Sequence, residues 1–357
     1  MTPPVILSVL FGILPGTGTG QAGGEAWRID HRQLPEISGL VASRRRKGWF
    51  WAHNDSGDGA YLYLIDPAHR LRCRFKLQGA KALDWEDLTL GIGPGGRPWI
   101  YVADTGRNLF PKQSLPVPKV YAFPEPDPGA LAAGLPLPDG GDAPLPVLRG
   151  PYVHTLELRF PDRTYPPNIE AVTLSPDGSR LWLFQRRGAD PSAMYEVRLF
   201  ESPPPAAPPW KEDQVLTAHR RGRIRTRASR PHGRLITAAA TLGDRKLLAI
   251  LTYSEILILP LPPGPDSSGR TEFWASPKIL RRIPLPPMPQ AEALAYVEEK
   301  GILCAASEGR PVLFRTFPLE EREKVDRKRE APRGKGPESK KEPEQGSRGS
   351  PRGGRKR

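Results

Sequence analysis

Residues 169–184 decide the fold, and they read Ile-Glu-Ala-Val-Thr-Leu-Ser-Pro-Asp-Gly-Ser-Arg-Leu-Trp-Leu-Phe. They contain a short apolar strand, a four-residue turn and a second apolar strand. Pro176 presets φ at the start of the turn, and Gly178 tolerates the positive φ with which the chain reverses. Short apolar runs that flank a Gly-containing turn are typical of an antiparallel hairpin. The stretch therefore predicts a building block of an all-β protein.

The same hairpin pattern recurs along the chain, which indicates a repeat architecture. Its paired segments are residues 36–41 with 48–52, 85–90 with 99–104, 169–174 with 180–184, 236–240 with 246–251, and 291–296 with 301–306. Further apolar segments supply a third strand to each pair and a fourth strand to the first four pairs. Four strands per unit predict a β-propeller of four-stranded blades. Five blades fit the repeat, and six would fit if residues 127–148 contained more strands.

The two ends of this repeat region complement each other. The fifth unit has no fourth strand downstream, because the chain becomes charged after Pro318. Residues 26–31 form an unpaired segment at the other end. We expect this segment to supply the missing strand and to close the ring, which removes exposed sheet edges. The predicted propeller domain spans residues 26–318 and includes a Pro/Gly-rich insertion at residues 127–148.

Composition excludes several other classes of protein. The chain has 357 residues, of which 36 are Gly and 44 are Pro. Proline at this density argues against a mostly helical protein, because each interior Pro removes a helical hydrogen bond. Two Cys residues exclude a disulfide scaffold and a cysteine-ligated zinc site.

Both chain ends have the character of non-domain segments. Residues 1–22 combine a short apolar run with a small-x-small site at Gly20-Gln21-Ala22, which predicts a signal peptide and a secreted, periplasmic or cell-envelope location. No other segment is long and apolar enough to span a membrane, so we expect no transmembrane protein after signal removal. Residues 319–357 are rich in Lys, Glu, Gly, Pro and Ser, which predicts a disordered basic tail. We expect a monomer.

The formal net charge of +14 is concentrated in two segments. One is the basic tail, and the other is His219–Arg234, which has seven Arg and no acidic residue. Such segments predict polyanion contact, through the tail above all, if they bind a partner. The alternative is a solvated tail and an Arg-rich surface strand.

The candidate site lies at one mouth of the predicted channel. In a propeller the first strand of each blade lines the channel, and here these strands begin at Glu36, Glu86, Glu170, Thr237 and Glu292. The adjoining loops add the carboxylates Asp55, Asp58, Asp84 and Asp104. Like charges at this density repel one another unless a cation lies between them, and oxygen ligands suit Ca²⁺, Mg²⁺ or Mn²⁺. We expect a divalent cation, calcium first. The alternative is that each Glu accepts backbone N–H groups and ties neighbouring blades together.

Other residue types on the same face predict ligand contacts. Candidate ligand-binding residues are Arg107, Arg186, Arg187, Tyr253 and Arg310, since Arg beside carboxylates can bind an anionic group. The alternative for these Arg residues is salt bridging to the Glu ring. If the protein is an enzyme, candidate catalytic groups are His53, Glu86 and Asp87, which can act as general bases. His53 can equally be a hydrogen-bonded loop residue. The chain contains no nucleophile-elbow, P-loop or H-E-x-x-H motif.

Several motifs together resemble a group of bacterial exported β-propeller proteins. They are Asn54-Asp55-Ser56-Gly57-Asp58, Asp84-Trp85-Glu86-Asp87, the run 101–108, Asn168-Ile169-Glu170-Ala171, Thr252-Tyr253-Ser254 and Glu292-Ala293-Leu294-Ala295. The chain departs from that group at Arg107, where the group favours Asp. More widely the chain is similar to phytase-like esterase and lactonase propellers, whose acidic channel faces bind divalent cations.

The predicted acidic ring and the absence of a nucleophile motif leave two functions of different classes open. One is an exported module that binds a small-molecule or protein ligand at a cation-bearing face. The other is a metal-dependent hydrolase of a phosphoester or a lactone.

Overall fold

The computed structural model describes residues 24–107, 111, 114–137, 142–186, 192–212, 214–226, 232–262, 274–275 and 277–319. Within these ranges β-strands dominate, together with the short helix α1 (Pro128–Ala132) and single 3-10 turns at Pro94–Gly96, His232–Arg234, Gly243–Arg245 and Glu298–Lys300. The chain is therefore all-β, as the hairpin repeats predict. The predicted signal peptide and the predicted tail beyond Leu319 lie outside the described residues.

In the described part of the chain, five four-stranded units follow one another in the order of the sequence hairpins. The first unit contains β2 (Ile37–Ala42), β3 (Phe50–Asn54), β4 (Tyr61–Ile65) and β5 (Leu71–Gln78). The second contains β6 (Trp85–Ile92), β7 (Pro98–Asp104), β8 (Lys119–Pro124) and β10 (His154–Arg159). The third contains β11 (Ile169–Leu174), β12 (Arg180–Gln185), β13 (Ser192–Arg198) and β14 (Gln214–Ile224). The fourth contains β15 (Ile236–Leu242), β16 (Leu247–Thr252), β17 (Glu255–Pro260) and β18 (Arg281–Pro284).

The fifth unit is completed by the N-terminal strand, as the sequence predicts. It contains β19 (Ala291–Val297), β20 (Ile302–Ser307), β21 (Val312–Pro318) and β1 (Ala26–Ile29). β1 pairs antiparallel with β21, so that Trp27 lies opposite Phe314. The Trp27 ring stacks on Phe314 at 5.2 Å and on His69 at 3.9 Å between ring centroids. The N-terminal segment thereby joins the last unit to residues of the first.

One strand falls where the sequence predicts none. β9 (Val147–Tyr152) overlaps the end of the expected insertion and pairs in parallel with β5. A second parallel pairing, between β10 and β14, joins the second and third units into an eight-stranded sheet. β9 contains Gly150 and Pro151 and lacks strand alternation, so its sequence carries little strand signal.

The first strand of each unit, hereafter the inner strand, contacts the inner strands of both neighbouring units. The contacts run from β2 through β6, β11, β15 and β19 and back to β2. A separate apolar core fills each junction between successive units. Full burial of a large apolar side chain stabilises a fold by about 1.5–3 kcal/mol, so these shared cores hold neighbouring units together. In the described ranges no helix is both long and apolar enough to cross a bilayer.

Candidate functional site

Each inner strand has a β-bulge at the same position near its start. The pairing register slips at Ile37/Gly39 in the first unit and at corresponding points in the other units. The extra residues at these bulges are Ser38, Glu86, Glu170, Thr237 and Glu292. A bulge re-aims the side chain of its extra residue, and bulges are frequent beside functional sites. Five equivalent positions therefore lie at the same end of the inner strands.

The position of Glu36 corrects the sequence alignment of the first unit. The sequence repeat predicts that Glu36 is equivalent to Glu86, whereas the bulge residue of β2 is Ser38. Glu36 lies two residues earlier, exposed, and its carbonyl accepts the N–H of Asp55 at 2.8 Å. Because side chains alternate with a period of two, a two-residue shift keeps the same face and leaves no trace in the apolar pattern. The bulge positions therefore hold three carboxylates and two hydroxyls.

The two hydroxyl residues connect neighbouring inner strands. Ser38 Oγ donates to the carbonyl of Glu86, and Thr237 Oγ1 donates to the carbonyl of Ala291 at 2.7 Å. Thr105 makes a similar bond to Ile169 O at 3.0 Å. Buried carbonyls need such donors, because an unsatisfied backbone group costs free energy. These bonds give the hydroxyl positions a structural role.

Three carboxylates from the first two units form a tight cluster, which we call the carboxylate triplet: Asp55, Asp84 and Glu86. One oxygen of each lies within 4.8 Å of the oxygens of the other two. Asp84 and Glu86 are 2% and 3% exposed, whereas Asp55 is half-buried. Gly106 packs against the triplet, and a Cβ at that position would overlap Glu86 Oε1 and Asp84 Oδ2. Only a residue without a Cβ therefore fits against these buried carboxylate oxygens.

The carboxyl groups of the triplet repel one another when they are ionised. Burial raises the pKa of Asp55 to about 6, and the charges of Asp84 and Glu36 add to the rise. Burial also holds the pKa of Glu86 well above its usual range, together with the charges of Glu170, Asp55 and Asp84. Glu86 Oε1 is buried without an N–H donor among the residues that the structure describes. A positive charge placed here would favour the ionised form of all three groups.

A series of polar contacts continues from the triplet along the bulge end of the inner strands. Glu170 Oε2 pairs with Arg186 Nη1 at 2.5 Å, and Arg186 Nη2 donates to Tyr253 OH at 2.7 Å. Tyr253 OH in turn donates to Glu292 Oε1. Arg186 and Tyr253, both predicted to bind ligand, are thus joined to the predicted Glu ring. Asn168 Nδ2 also donates to Glu170.

Two further carboxyl groups at this end of the inner strands have raised pKa values. Burial raises the pKa of Glu292 to about 8, and the charge of Glu170 adds to the rise. Burial raises the pKa of Glu308 to about 7, with contributions from Asp55 and Glu36. We call Asp55, Asp84, Glu86, Glu170, Glu292 and Glu308 together the acidic mouth. Glu308 was not among the predicted site residues, because its loop gives no motif and only the fold brings it to Asp55.

His53 lies beneath the acidic mouth. It is fully buried on β3, where Nδ1 donates to the carbonyl of Asn54 at 2.7 Å. Its ring packs edge-on against Trp85 at 5.4 Å, and its Nε2 faces Gly39. Burial lowers the pKa of His53 to about 4, so the ring is neutral at neutral pH. This environment is that of a packed core histidine.

Asp87 joins three inner strands. Its carboxylate is fully buried and accepts the backbone N–H groups of Leu88 at 2.8 Å, Val172 at 2.9 Å and Ala239 at 3.4 Å. These donors belong to β6, β11 and β15. Asp87 therefore makes the inter-strand bonds that sequence analysis assigns, as an alternative, to the Glu ring.

Two other predicted metal ligands are engaged by local structure. Asp58 Oδ2 accepts Tyr63 OH at 2.7 Å and Asn54 Nδ2 at 2.9 Å. Asp104 Oδ1 accepts the N–H of Asp84 at 2.9 Å. Both carboxylates thereby orient the loops that carry the triplet.

The remaining predicted ligand-binding arginines are not brought together. Arg107 donates to Pro166 O at 2.5 Å, beside Gly106 in sequence. Arg310 is exposed and pairs with Asp30 at 2.7 Å and with Asp142 at 2.6 Å. Arg187 lies outside the described residues.

Cavities open at both ends of the inner strands. At the bulge end a cavity of about 920 Å³ has Arg186, Tyr253, His232 and Ser254 among its lining residues. At the other end a cavity of about 640 Å³ is lined by residues of all five inner strands. Arg186 and Tyr253 line the first cavity and also belong to the series of polar contacts at the acidic mouth. A molecule bound in this cavity would therefore contact these two residues directly.

Comparison with known proteins adds little to this description. No family model matches the chain, and no curated protein matches it. One similar solved structure is the complex of KlAtg21 with the coiled-coil of AgAtg16, with 15% identity over 80% of this chain and 71% of that chain, and a TM-score of 0.33. A likeness at this TM-score carries no argument about fold, site or function.

Proposed function

We propose that this protein is an exported five-bladed β-propeller that binds a divalent cation at Asp55, Asp84 and Glu86 and uses the adjoining face to bind a ligand. The observation that carries the proposal is a buried Glu86 oxygen without an N–H donor among the described residues, next to two more carboxylates. A buried charge without a partner is costly, whereas metal coordination satisfies it. Residues 1–22 would direct export to the periplasm, cell envelope or exterior.

The propeller architecture is supported by the cyclic contacts of the inner strands. Each inner strand contacts two others, and the cycle returns to its start through β19 and β2. Five junction cores and the pairing of β1 with β21 accompany this cycle in the described residues. Radial repetition of four-stranded sheets is the propeller arrangement.

Calcium is the cation that the donor set favours. Ca²⁺ takes six to eight oxygen ligands with flexible geometry, and carboxylates can bind it through one or both oxygens. The triplet consists of carboxylates, two of them on loops and one at a bulge. Gly106 lets the backbone approach the oxygens of Glu86 and Asp84 closely, since a Cβ there would overlap them. Asp58 and Asp104 do not belong to the triplet, but they accept hydrogen bonds from the loops that carry Asp55 and Asp84 and so position those loops.

The ligand of this face would lie in the cavity of about 920 Å³ that Arg186 and Tyr253 line. Arg186 is held by Glu170 and Tyr253, so its guanidinium is fixed in place before a ligand arrives. A preorganised guanidinium and a phenol offer hydrogen bonds to a polar small molecule or to a protein side chain. This geometry supports a binding module.

The experiment is metal analysis of the purified full chain by mass spectrometry, with thermal melting before and after chelation. We expect about one calcium per chain and a lower Tm after chelation, restored by added calcium. The double variant Asp84→Asn/Glu86→Gln should lose both the metal and the calcium-dependent Tm shift. Glu125→Gln is the matched control, because Glu125 is equally buried but bonds Trp51 Nε1 outside the mouth. No metal and no shift in the parent chain would overturn the proposal.

Glu308 favours a second candidate, a metal-dependent hydrolase of a phosphoester or a lactone. Its carboxyl lies within electrostatic reach of Asp55, and burial raises its pKa to about 7, which suits a general base at neutral pH. The cation would polarise the substrate and lower the pKa of a bound water. Turnover of such substrates that Glu308→Gln abolishes without loss of calcium binding would support an enzyme. Absence of turnover across a panel of these esters, with calcium present, would leave the binding module.

A further inference from the structure

A small cavity lies on the third unit, outside the acidic mouth. It has a volume of about 260 Å³ and is lined by Arg180, Glu196, Arg198, Thr217, His219 and Arg221. These residues belong to β12, β13 and β14. Strand pairing explains why they meet: Arg180 lies opposite Arg198, and Glu196 lies opposite His219. We call this cavity the arginine pocket.

The charges of the arginine pocket do not balance. Three guanidinium groups surround one buried carboxylate, Glu196. The carboxylate is shared, because Arg180 approaches it at 3.6 Å and Arg221 at 3.4 Å. Arg198 pairs with Glu201, whose side chain is 79% exposed, and exposed ion pairs of this kind contribute little. The pocket therefore keeps a surplus of positive charge.

Two observations indicate that a negatively charged group is missing from this balance. Arg180 and Arg198 lie directly opposite each other across two paired strands, and like charges in that arrangement repel. In addition, the Nε groups of Arg180 and Arg221 are buried and have no hydrogen-bond partner among the described residues. Buried donors without acceptors are rare in folded proteins and need an explanation.

We propose that the arginine pocket binds a phosphate-type oxyanion, either free phosphate or the phosphate of a phosphomonoester. Guanidinium groups present several N–H donors in a fixed plane, which matches the oxygens of a tetrahedral anion. An oxyanion would separate Arg180 from Arg198 and would offer acceptors to the guanidinium groups that line the pocket. Arg220 and Arg225 are exposed on and just beyond β14, and their field attracts anions toward the pocket.

The test is calorimetric titration of the full chain with inorganic phosphate at low ionic strength. A chelator is present throughout, so that no cation at the acidic mouth can bind the phosphate. We expect saturable binding at one site. Arg221→Gln should weaken it about 10- to 100-fold, since hydrogen bonds between charged groups contribute that much to affinity. Arg223→Gln is the matched control, because it removes the same charge from the same strand but does not line the pocket.

Each outcome of the titrations either supports or overturns the proposed phosphate site. Loss of binding in Arg221→Gln with retention in Arg223→Gln supports a defined pocket, and Arg198→Gln gives the same test at a more exposed residue should Arg221→Gln fail to fold. Equal weakening in all three variants, or no saturable binding in the parent chain, overturns the proposal in favour of a general basic field. A parallel titration with glycerol phosphate distinguishes the sources: tighter binding than phosphate assigns a phosphomonoester, and equal or weaker binding assigns the free anion.

Discussion

Replacement of Glu292 by Gln should make the protein more stable at alkaline pH. Glu292 is 5% exposed, and burial raises its pKa from an ordinary value of 4.5 to about 8. In Glu292→Gln the amide oxygen can still accept the Tyr253 hydroxyl, so the hydrogen bond of the parent chain is kept. The substitution therefore removes a buried ionisable group and little else.

The sign of the pH dependence follows from the raised pKa. Below pH 4.5 Glu292 is protonated in both the folded and the unfolded chain, so it imposes no electrostatic penalty. Between pH 4.5 and 8 the unfolded chain releases the proton and the folded chain retains it, so its contribution to the free energy of unfolding falls. The full pKa difference corresponds to about 5 kcal/mol, and neighbouring groups that share protons reduce it, so we expect about 2–5 kcal/mol.

The assay is urea unfolding followed by Trp fluorescence from pH 4.5 to 8.5, with a chelator in every sample. We expect Glu292→Gln and the parent chain to have similar free energies of unfolding at the acidic end. At the alkaline end the variant should be more stable. Glu201→Gln, at a side chain that is 79% exposed, is the control and should follow the parent chain throughout. A difference between Glu292→Gln and the parent chain that stays constant with pH would refute the reasoning.

Three more substitutions test other parts of the structure. Gly106→Ala places a methyl group against Glu86 Oε1 and must displace the triplet, so we expect loss of calcium-dependent stabilisation in thermal melts; a full calcium shift would contradict the close packing of Gly106 against the triplet. Asp87→Ala leaves backbone N–H groups of three inner strands without their acceptor and should lower the free energy of unfolding by about 3 kcal/mol or more, whereas a urea midpoint equal to the parent's would exclude that role. Trp27→Ala removes the stacking on Phe314 and should cost about 2–4 kcal/mol, with increased hydrogen exchange in β1 and β21; unchanged exchange there would refute a closing role for β1.

Local sequence patterns predicted the strand units because each unit is encoded over a short range. A hairpin such as residues 169–184 needs only apolar alternation and a turn with Gly178, and both are visible in the sequence. The pairing of residues 26–29 with β21 was also predictable, because an unpaired strand at one end matched a missing strand at the other. β9 was not predicted, because Gly150 and Pro151 are unfavourable in strands and the strand is stabilised by parallel pairing with β5.

The sequence repeat predicted a shared strand position for several carboxylates but not how they are arranged. Glu86, Glu170 and Glu292 do share one position of the inner strands, as predicted, whereas Glu36 does not. The arginine pocket could not be predicted from the sequence, because its residues become neighbours only through the pairing of β12, β13 and β14.

By itself the sequence determined the all-β class, the order of the units and the end of the inner strands at which carboxylates gather. These properties depend on short-range patterns of hydrophobicity, turn residues and charge. The tertiary structure alone decided that Ser38 and not Glu36 occupies the first bulge, and that Asp87 ties three inner strands together while Glu86 keeps an oxygen without an N–H donor among the described residues. A two-residue shift in register leaves the alternation unchanged, so only the pairing of strands far apart in the chain can select one register over the other.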